Sequence, residues 1–382
     1  MKNKLLQIEE IADKKAKEIE EMYFIKYKKL YDLAIDVIGD FKILLYGGTA
    51  INDALPEKLK FYSKTQLPDI DIFCTFKTYK LLSKKLLKAF FLNGNEITTI
   101  REALHEHTYK LMVDGLHIID ISVIDKDFFN TLSKNKSKTS FKKIYSVNIE
   151  YLKYSLHTMI AQPLQSHKWV NIFDRMINLY KAFPNDTTPE NIDIDDYFIS
   201  DLPENIFNDV TEYIKKTEFV AFGWDVISKY IKFDVEKAYL PVQYLISSIE
   251  PLIVCNDIVS YLKNKHISAT QTSSYTVISY KNIKFLYIFK SHNCSSFITY
   301  RGSRQASIHS IIQHLYHIYF NTGNATILQV VHCIVNVLFK NMNSKKTLYR
   351  QFVIECYGEQ KGIVTLRKDK FIRLQKYQEL IS

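Results

Sequence analysis

With 382 residues, 47% of them apolar, the chain has material for two or three domains of ordinary size, each with its own core, which excludes an intrinsically disordered polypeptide. The formal charge of +10, from 51 basic against 41 acidic residues, points to a polyanionic partner. No run of about 18 uncharged apolar residues occurs, so no membrane span is expected.

The N-terminus mixes both charge signs from its first residues, unlike a secretory signal. From Leu5 to Ile38 apolar residues recur at helical spacing, and Gly39-Asp40 ends that helix. FKILLY (41–46) reads as a buried strand, Gly47-Gly48 as a tight turn, and Thr49 as the N-cap of a short helix, AINDAL, closed by Pro56. DIDIF (69–73) alternates polar and apolar and reads as a second strand, followed by a helix through TYKLLSKKLLKAFFL. Three strands follow, in EITTIRE, HTYKLMV and HIIDISVI. The last two are joined by Asp114-Gly115, a dipeptide that accepts the positive φ angles of a type I′ hairpin.

Five lysines between Lys134 and Lys143 read as an exposed connector leaving this first α/β region. Residues 150–235 read as helical apart from the acidic loop NDTTPENIDIDDY. On the helix from Lys168 to Phe183, Lys168, Asn171 and Arg175 share a polar face opposite Trp169, Ile172, Met176 and Leu179. Beyond, strands (SYTVISY, IKFLYIFK) mix with helices (SIHSIIQHLYHIYF, ILQVVHCIVNVLFKN). Cys74, Cys255, Cys294, Cys333 and Cys356 stand far apart without metal-ligand spacing, which predicts reduced thiols.

Residues i and i+2 of a strand share a face, so Asp69 and Asp71 stand together while Ile70 and Ile72 point to the core. The same alternation puts Asp120 with Ile118 and Ser122, opposite His117, Ile119, Ile121 and Val123. Clustered carboxylates of this kind hold divalent metals. Gly47-Gly48-Thr49 lies between a strand and a helix start, where backbone N–H groups approach phosphate and Thr49 offers a hydroxyl. Asp193-Ile194-Asp195 repeats the Asp-x-Asp pattern, but no glycine occurs between Gly115 and Gly223, and it reads as an acidic loop only.

The run of strand, Gly-Gly-Thr, helix, Asp-x-Asp strand, hairpin and third Asp resembles the nucleotidyltransferases that share the DNA polymerase β palm. The form LYGGTAIN…LPDIDIF, with 20 residues between Gly48 and Asp69, is similar to the poly(A) polymerase catalytic subunits of large DNA viruses. So are 105–122, 161–180 and 288–320, so that the likeness covers most of 40–320. It implies an α/β (α+β) protein in four regions: an N-terminal helix (1–40), a catalytic palm (41–145), a helical middle domain (146–235), and a C-terminal domain (236–382) with a degenerate second nucleotidyltransferase fold lacking the carboxylates.

The resemblance further implies that Asp69 and Asp71 bind two divalent ions, Mg²⁺ or Mn²⁺, and that Asp120 binds one and helps deprotonate an RNA 3′-hydroxyl. Gly47, Gly48 and Thr49 would hold ATP, and Lys168 and Arg175 would meet triphosphate or RNA. The implied activity is template-independent addition of AMP to mRNA 3′ ends in the cytoplasm or virion. A homodimer and a separate processivity subunit are both open as assemblies. Between Lys340 and Ser382, ten basic residues oppose four acidic ones, interleaved with Tyr349, Phe352, Tyr357, Phe371 and Tyr377. Lys345, Lys346, Arg350, Arg367 and Lys368 are thus candidates for single-stranded RNA contact. CCA-adding, uridylyl-adding and oligoadenylate-making transferases share the carboxylate geometry, and a non-catalytic RNA-binding scaffold is the alternative from another class.

Overall fold

The computed structural model describes residues 15, 24 and 27–379, apart from 64, 65, 96, 186, 188–191, 218, 234–238, 248, 264, 265, 273, 274, 292, 293 and 360. Most of the expected N-terminal helix precedes residue 27 and lies outside the described residues; residues 27–38 are helical (α1) and end at the Gly39-Asp40 turn. The chain divides into two compact units, one of residues 1–153, 177–183 and 361–382, the other of 154–176 and 184–360. Both sheets recruit strands from segments read as connector or helix.

In the first unit, β1 (Leu44–Tyr46) runs directly into α2 (Gly47–Ala54), and β2 (Ile70–Cys74) leads into α3 (Phe76–Leu92). Thr75 caps α3 by accepting from the Thr78 N–H, and Leu82, Leu86 and Phe90, spaced four apart, form its buried stripe. Then come β3 (Thr98–Glu102), β4 (Thr108–Val113), β5 (Leu116–Val123) and α4 (Lys126–Lys134). Asp114 and Gly115 both take positive φ, +48° and +82°, as the hairpin requires. The lysine-rich segment is not a free connector. It supplies β6 (Ser137–Lys138) and leads into β7 (Tyr145–Ser146), whose pairing with β1 extends the sheet. Ser140 fixes that segment to the end of α2, its N–H bonding the Asp53 carboxylate at 3.0 Å and its hydroxyl bonding the same group.

The seven strands are ordered β3-β4-β5-β2-β1-β7-β6. β2 is antiparallel to β1 and parallel to β5, and β7 is parallel to β1. Ile70, Ile72, Ile119 and Ile121 are fully buried, so one face of the β2–β5 pair is core, as the alternation implied.

The chain continues through α5 (Ile149–Ala161), a 3₁₀ turn over Pro163–Lys168 and α6 (Trp169–Ala182). The second unit then holds β8 (Phe198–Ile199), α7 (Glu204–Lys216), β9 (Val220–Ala221), α8 (Trp224–Ile227), β10 (Leu240–Pro241), which pairs with β8, and β11 (Gln243–Ser247). After α9 (Pro251–Leu262) come β12 (Ile267–Gln271), β13 (Thr276–Tyr280), β14 (Ile283–Lys290), β15 (Ser295–Tyr300) and β16 (Ser303–Ala306). The chain ends with α10 (Ile308–Thr322), α11 (Ala325–Lys340), β17 (Cys356–Tyr357) and α12 (Ile363–Glu379), the last assigned to the first unit.

The second sheet, β12-β13-β14-β11-β9-β16-β15-β17, repeats the seven-strand order of the first and adds β17 as an eighth strand. β9 is antiparallel to β11 as β1 is to β2, β11 is parallel to β14 as β2 is to β5, and β16 is parallel to β9 as β7 is to β1. The pairing of β15 with β17 also brings Cys294 and Cys356 into a disulfide, across 62 residues of sequence. Sequence spacing conceals that pair, and it corrects the expectation of five thiols; Cys74, Cys255 and Cys333 are buried thiols outside any disulfide.

Within the first unit α12 is tied to the end of β3. Arg373 donates from Nε to Glu102 Oε1 at 3.0 Å and from Nη2 to the Leu104 carbonyl at 3.4 Å, and Lys370 donates to the Glu102 carbonyl. Glu102 and Arg373 are 10% and 19% exposed, so solvent screens this pair poorly. Arg373→Ala is expected to lower stability by about 2 kcal/mol, read as a shifted urea midpoint, because it strands a mostly buried carboxylate. A loss under about 0.5 kcal/mol would mean that the pair behaves as an exposed one.

Candidate active site

β2 and β5 run parallel in a register that makes Asp71 and Asp120 direct Cα partners, with Asp69 just before β2. Tyr46, Asp71, Phe73, Asp120 and Ser122 share the non-core pleat: Tyr46 stacks on Phe73 at 3.8 Å, and its hydroxyl lies 2.9 Å from Ser122 Oγ.

Gly47, at φ +71°, turns the chain from β1 into α2. A Cβ at this position would lie 2.2 Å from Asp71 Oδ2, so only glycine allows the helix start and the carboxylate to coexist. No side chain caps the first turn of α2, where Gly48 follows, which leaves backbone N–H groups for an anion. Thr49 departs from expectation. It lies inside that turn, 4% exposed, and its hydroxyl donates to the Asp69 carbonyl at 2.7 Å. Its hydroxyl thereby holds the approach to β2.

His117 is the residue that alternation misplaced. The β4–β5 register shifts between Leu111 and Met112: Leu111 faces Ile119 but Met112 faces His117, so Ile118 is an extra residue on β5. The bulge turns His117 onto the carboxylate face. Its Nε2 lies 2.9 Å from Asp120 Oδ1 and its Nδ1 3.4 Å from Asp69 Oδ1, while Lys110 Nζ lies 3.6 Å from Asp120 Oδ1. A histidine three residues before an aspartate, just after a tight hairpin, was the available sequence signal.

Burial, then the charges of Asp120 and Asp69, push the Asp71 carboxyl up to about 7, against the lowering effect of His117 and Lys110. The hydrogen bond to Asp120 holds His117 above the usual imidazole range, despite an opposing contribution from burial. Among the described residues no three His, Cys, Asp or Glu side chains are closed around one point. The donor set nevertheless fits a divalent cation: three hard oxygen ligands, more negative charge than His117 and Lys110 offset, and one carboxylate driven toward protonation in its absence.

Lys168 and Arg175 belong to the second unit, Lys168 exposed and Arg175 half-buried. The basic candidates of the C-terminal region are divided: Lys345, Lys346 and Arg350 are exposed in the second unit, Arg367 and Lys368 on α12 in the first. Two of the aromatic residues read as base-stacking partners pack on protein: Phe352 stacks on Trp169 at 5.5 Å, and Tyr349 meets Tyr230 at 6.0 Å. Asp193-Ile194-Asp195 lies outside both large sheets, with Ile194 buried.

Residues 34–166 match the family model of the poly(A) polymerase catalytic subunit. The chain resembles the catalytic subunits of viral poly(A) polymerases. It is 26% identical over 227 residues to a putative poly(A) polymerase catalytic subunit of Acanthamoeba polyphaga mimivirus, covering 58% of this chain and 36% of that protein. A putative catalytic subunit of African swine fever virus is 26% identical over 152 residues, 38% of this chain and 30% of the other. The chain thus spans about a third of the length of these relatives. Among solved structures, the Megavirus polyadenylate synthase superposes with a TM-score of 0.74 over 99% of this chain and 82% of the other, at 20% identity, which establishes the shared fold. The second sheet carries Tyr244 and Tyr287 as Cα partners where the first carries Asp71 and Asp120, their rings 5.4 Å apart.

Between the ordinary carboxylate range and about pH 7 the folded protein keeps a proton on Asp71 that the unfolded chain has lost, so this group's contribution to stability falls as pH rises through that window. His117, raised, adds in the same sense. Asp71→Asn is therefore expected to melt higher than wild type at pH 8 in EDTA and to lose that advantage at pH 5. Added Mn²⁺ should raise the wild-type melting temperature more than that of the variant. Equal melting at both pH values would mean that neither burial nor the neighbouring carboxylates raise Asp71.

Proposed function

We propose that the chain is a template-independent RNA nucleotidyltransferase that adds AMP from ATP to RNA 3′ ends. The observation that carries this reading is the pairing of Asp71 with Asp120 across parallel β2 and β5, with Asp69 beside them and the uncapped start of α2 at Gly47-Gly48. The match of residues 34–166 supports the poly(A) form of that chemistry.

In this reading Asp69, Asp71 and Asp120 hold two divalent ions, Mg²⁺ or Mn²⁺. When bound, such ions neutralise the transferred phosphoryl group and lower the pKa of the attacking hydroxyl. Asp71 is positioned by the absence of a Cβ at Gly47, and Thr49 holds Asp69 through its backbone. Asp120 would accept the 3′-hydroxyl proton, its carboxylate oriented by His117 and Lys110. The α2 N–H groups receive triphosphate oxygens. Lys168, Arg175 and the exposed Lys345, Lys346, Arg350, Arg367 and Lys368 remain proposed contacts to triphosphate or RNA. We place the substrate among mRNA 3′ ends in the cytoplasm; no described helix is long and apolar enough to cross a membrane.

The test is extension of a 5′-labelled single-stranded RNA with each of the four nucleoside triphosphates separately, in Mg²⁺ or Mn²⁺. ATP should give a ladder that Asp71→Ala and Asp120→Ala cannot make. Gly47→Ala should lose on the order of 100-fold in rate, because the added methyl displaces Asp71 from its productive position. A ladder from the Asp71→Ala protein would overturn the assignment, and a ladder with another nucleotide alone would move it to a different end-adding transferase. A second test concerns the exposed basic residues: replacing Lys345, Lys346 and Arg350 by Ala should weaken RNA binding and flatten its salt dependence. An unchanged salt slope would remove them from the RNA path.

A further inference from the structure

The second unit contains a cavity of about 270 Å³ on the pleat face opposite Phe222, Tyr244 and Tyr287. Ala221, Leu245 and Gln305 are adjacent on this face through the β9–β11 and β9–β16 registers, and Gln243 lies two residues along β11. The site is thus on the other side of the sheet from the positions that match the palm carboxylates, and does not rest on the activity proposed above.

Its floor is polar where a core is expected. Gln243 and Gln305 are each 3% exposed. Gln243 Nε2 donates to Thr211 Oγ1 and Gln305 Nε2 to Ser303 Oγ, both at 3.0 Å, while both amide oxygens are buried without a partner. Hydroxyls both donate and accept, so turning either amide round moves its unpartnered end without satisfying it. The repeat of the fold makes the substitution visible: aligning Leu245–Ala221 with Ile72–Leu45 sets Gln243 against Ile70, which is fully buried. An unsatisfied amide in that place lowers stability relative to an isoleucine, unless something else meets it.

The walls are cationic. Lys215, Lys229 and Arg301 line the cavity with Asp225 as the acid among the lining residues. Lys229 Nζ and the Arg301 guanidinium lie over the Tyr300 ring, 5.9 and 5.5 Å from its centroid. Burial, with smaller contributions from the charges of Arg301 and Lys215, holds the Lys229 ammonium below its usual range against the raising effect of Asp225.

We infer that this cavity binds one nucleoside monophosphate unit, the base edge on the amides of Gln243 and Gln305 and the phosphate among Lys215, Lys229 and Arg301. Glutamine amides pair with the donor and acceptor edge of a base, and guanidinium and ammonium groups take phosphate oxygens. An inorganic anion alone would leave the two amide ends unmet. The unit can be a free nucleotide or one residue of an RNA strand, and the volume admits a single one.

The test is calorimetric titration of the full chain in EDTA with AMP, GMP, CMP and UMP, with ribose 5-phosphate, and with a short oligoadenylate. The proteins compared are wild type, Asp71→Asn, Arg301→Ala, Gln243→Leu and Gln305→Leu. At least one mononucleotide, or the oligonucleotide, should bind wild type and Asp71→Asn alike, and Arg301→Ala and both leucine variants should weaken it by about tenfold or more. The leucine variants should melt no lower than wild type, since they remove an unsatisfied amide. Binding of the mononucleotide assigns a free-nucleotide site, and binding of the oligonucleotide alone assigns a strand site. Equal affinity in all variants, loss only in Asp71→Asn, equally tight ribose 5-phosphate, or no binding at all would each overturn the proposal.

Discussion

The placement of two carboxylates side by side, Asp71 on β2 and Asp120 on β5, is the constraint around which the first unit is organised. Like charges this close repel, and burial strengthens the repulsion, so the arrangement needs local compensation. His117 and Lys110 supply part of it from the flank, and burial, together with the repulsion they leave, raises the Asp71 carboxyl to about 7. The neighbouring backbone answers the same demand: Gly47 leaves the volume that Asp71 occupies, and Thr49 fixes the carbonyl of Asp69. A strand, a tight turn and an uncapped helix start are thereby gathered at one end of a rigid sheet.

The second unit shows what the same topology does without that constraint. At the two paired positions stand Tyr244 and Tyr287, which pack with Phe222 and Phe289 as an aromatic cluster. Gly223 is retained, and a Cβ there would lie 2.4 Å from the Tyr244 N–H nitrogen, so the close approach of turn and strand has a packing cause in this copy. The opposite pleat is more polar in this copy, where Gln243 stands at the position of Ile70 and Gln305 at that of Ser146. One connectivity thus carries charged groups on one face in the first sheet and amides on the other face in the second.

Much of this was legible in the sequence where a short-range rule governs. The strand around Asp69 and Asp71, the Asp114-Gly115 hairpin, the helix after Phe76 and the strand Ile283–Lys290 follow from alternation, turn chemistry and helical spacing. The misses share a different cause. The bulge at Ile118, which reverses the facing of His117, is decided by cross-strand register, and β7 is a strand because β1 and β6 are there to pair with it. The Cys294–Cys356 pair depends on β15 meeting β17 across 62 residues. Thr49 looked like a cap because its local pattern is that of a cap; its buried partner, Asp69, lies 20 residues away.

The return of α12 to β3 has a temporal meaning. Glu102 and Arg373 are 271 residues apart in sequence, so their bond closes a very long loop. During synthesis from the N-terminus, residues 184–360 leave the ribosome as one nearly continuous block, and their sheet can assemble before α12 exists. The unit that carries the carboxylate-bearing sheet is begun first and completed last, with its final tether translated only after every strand of the second sheet.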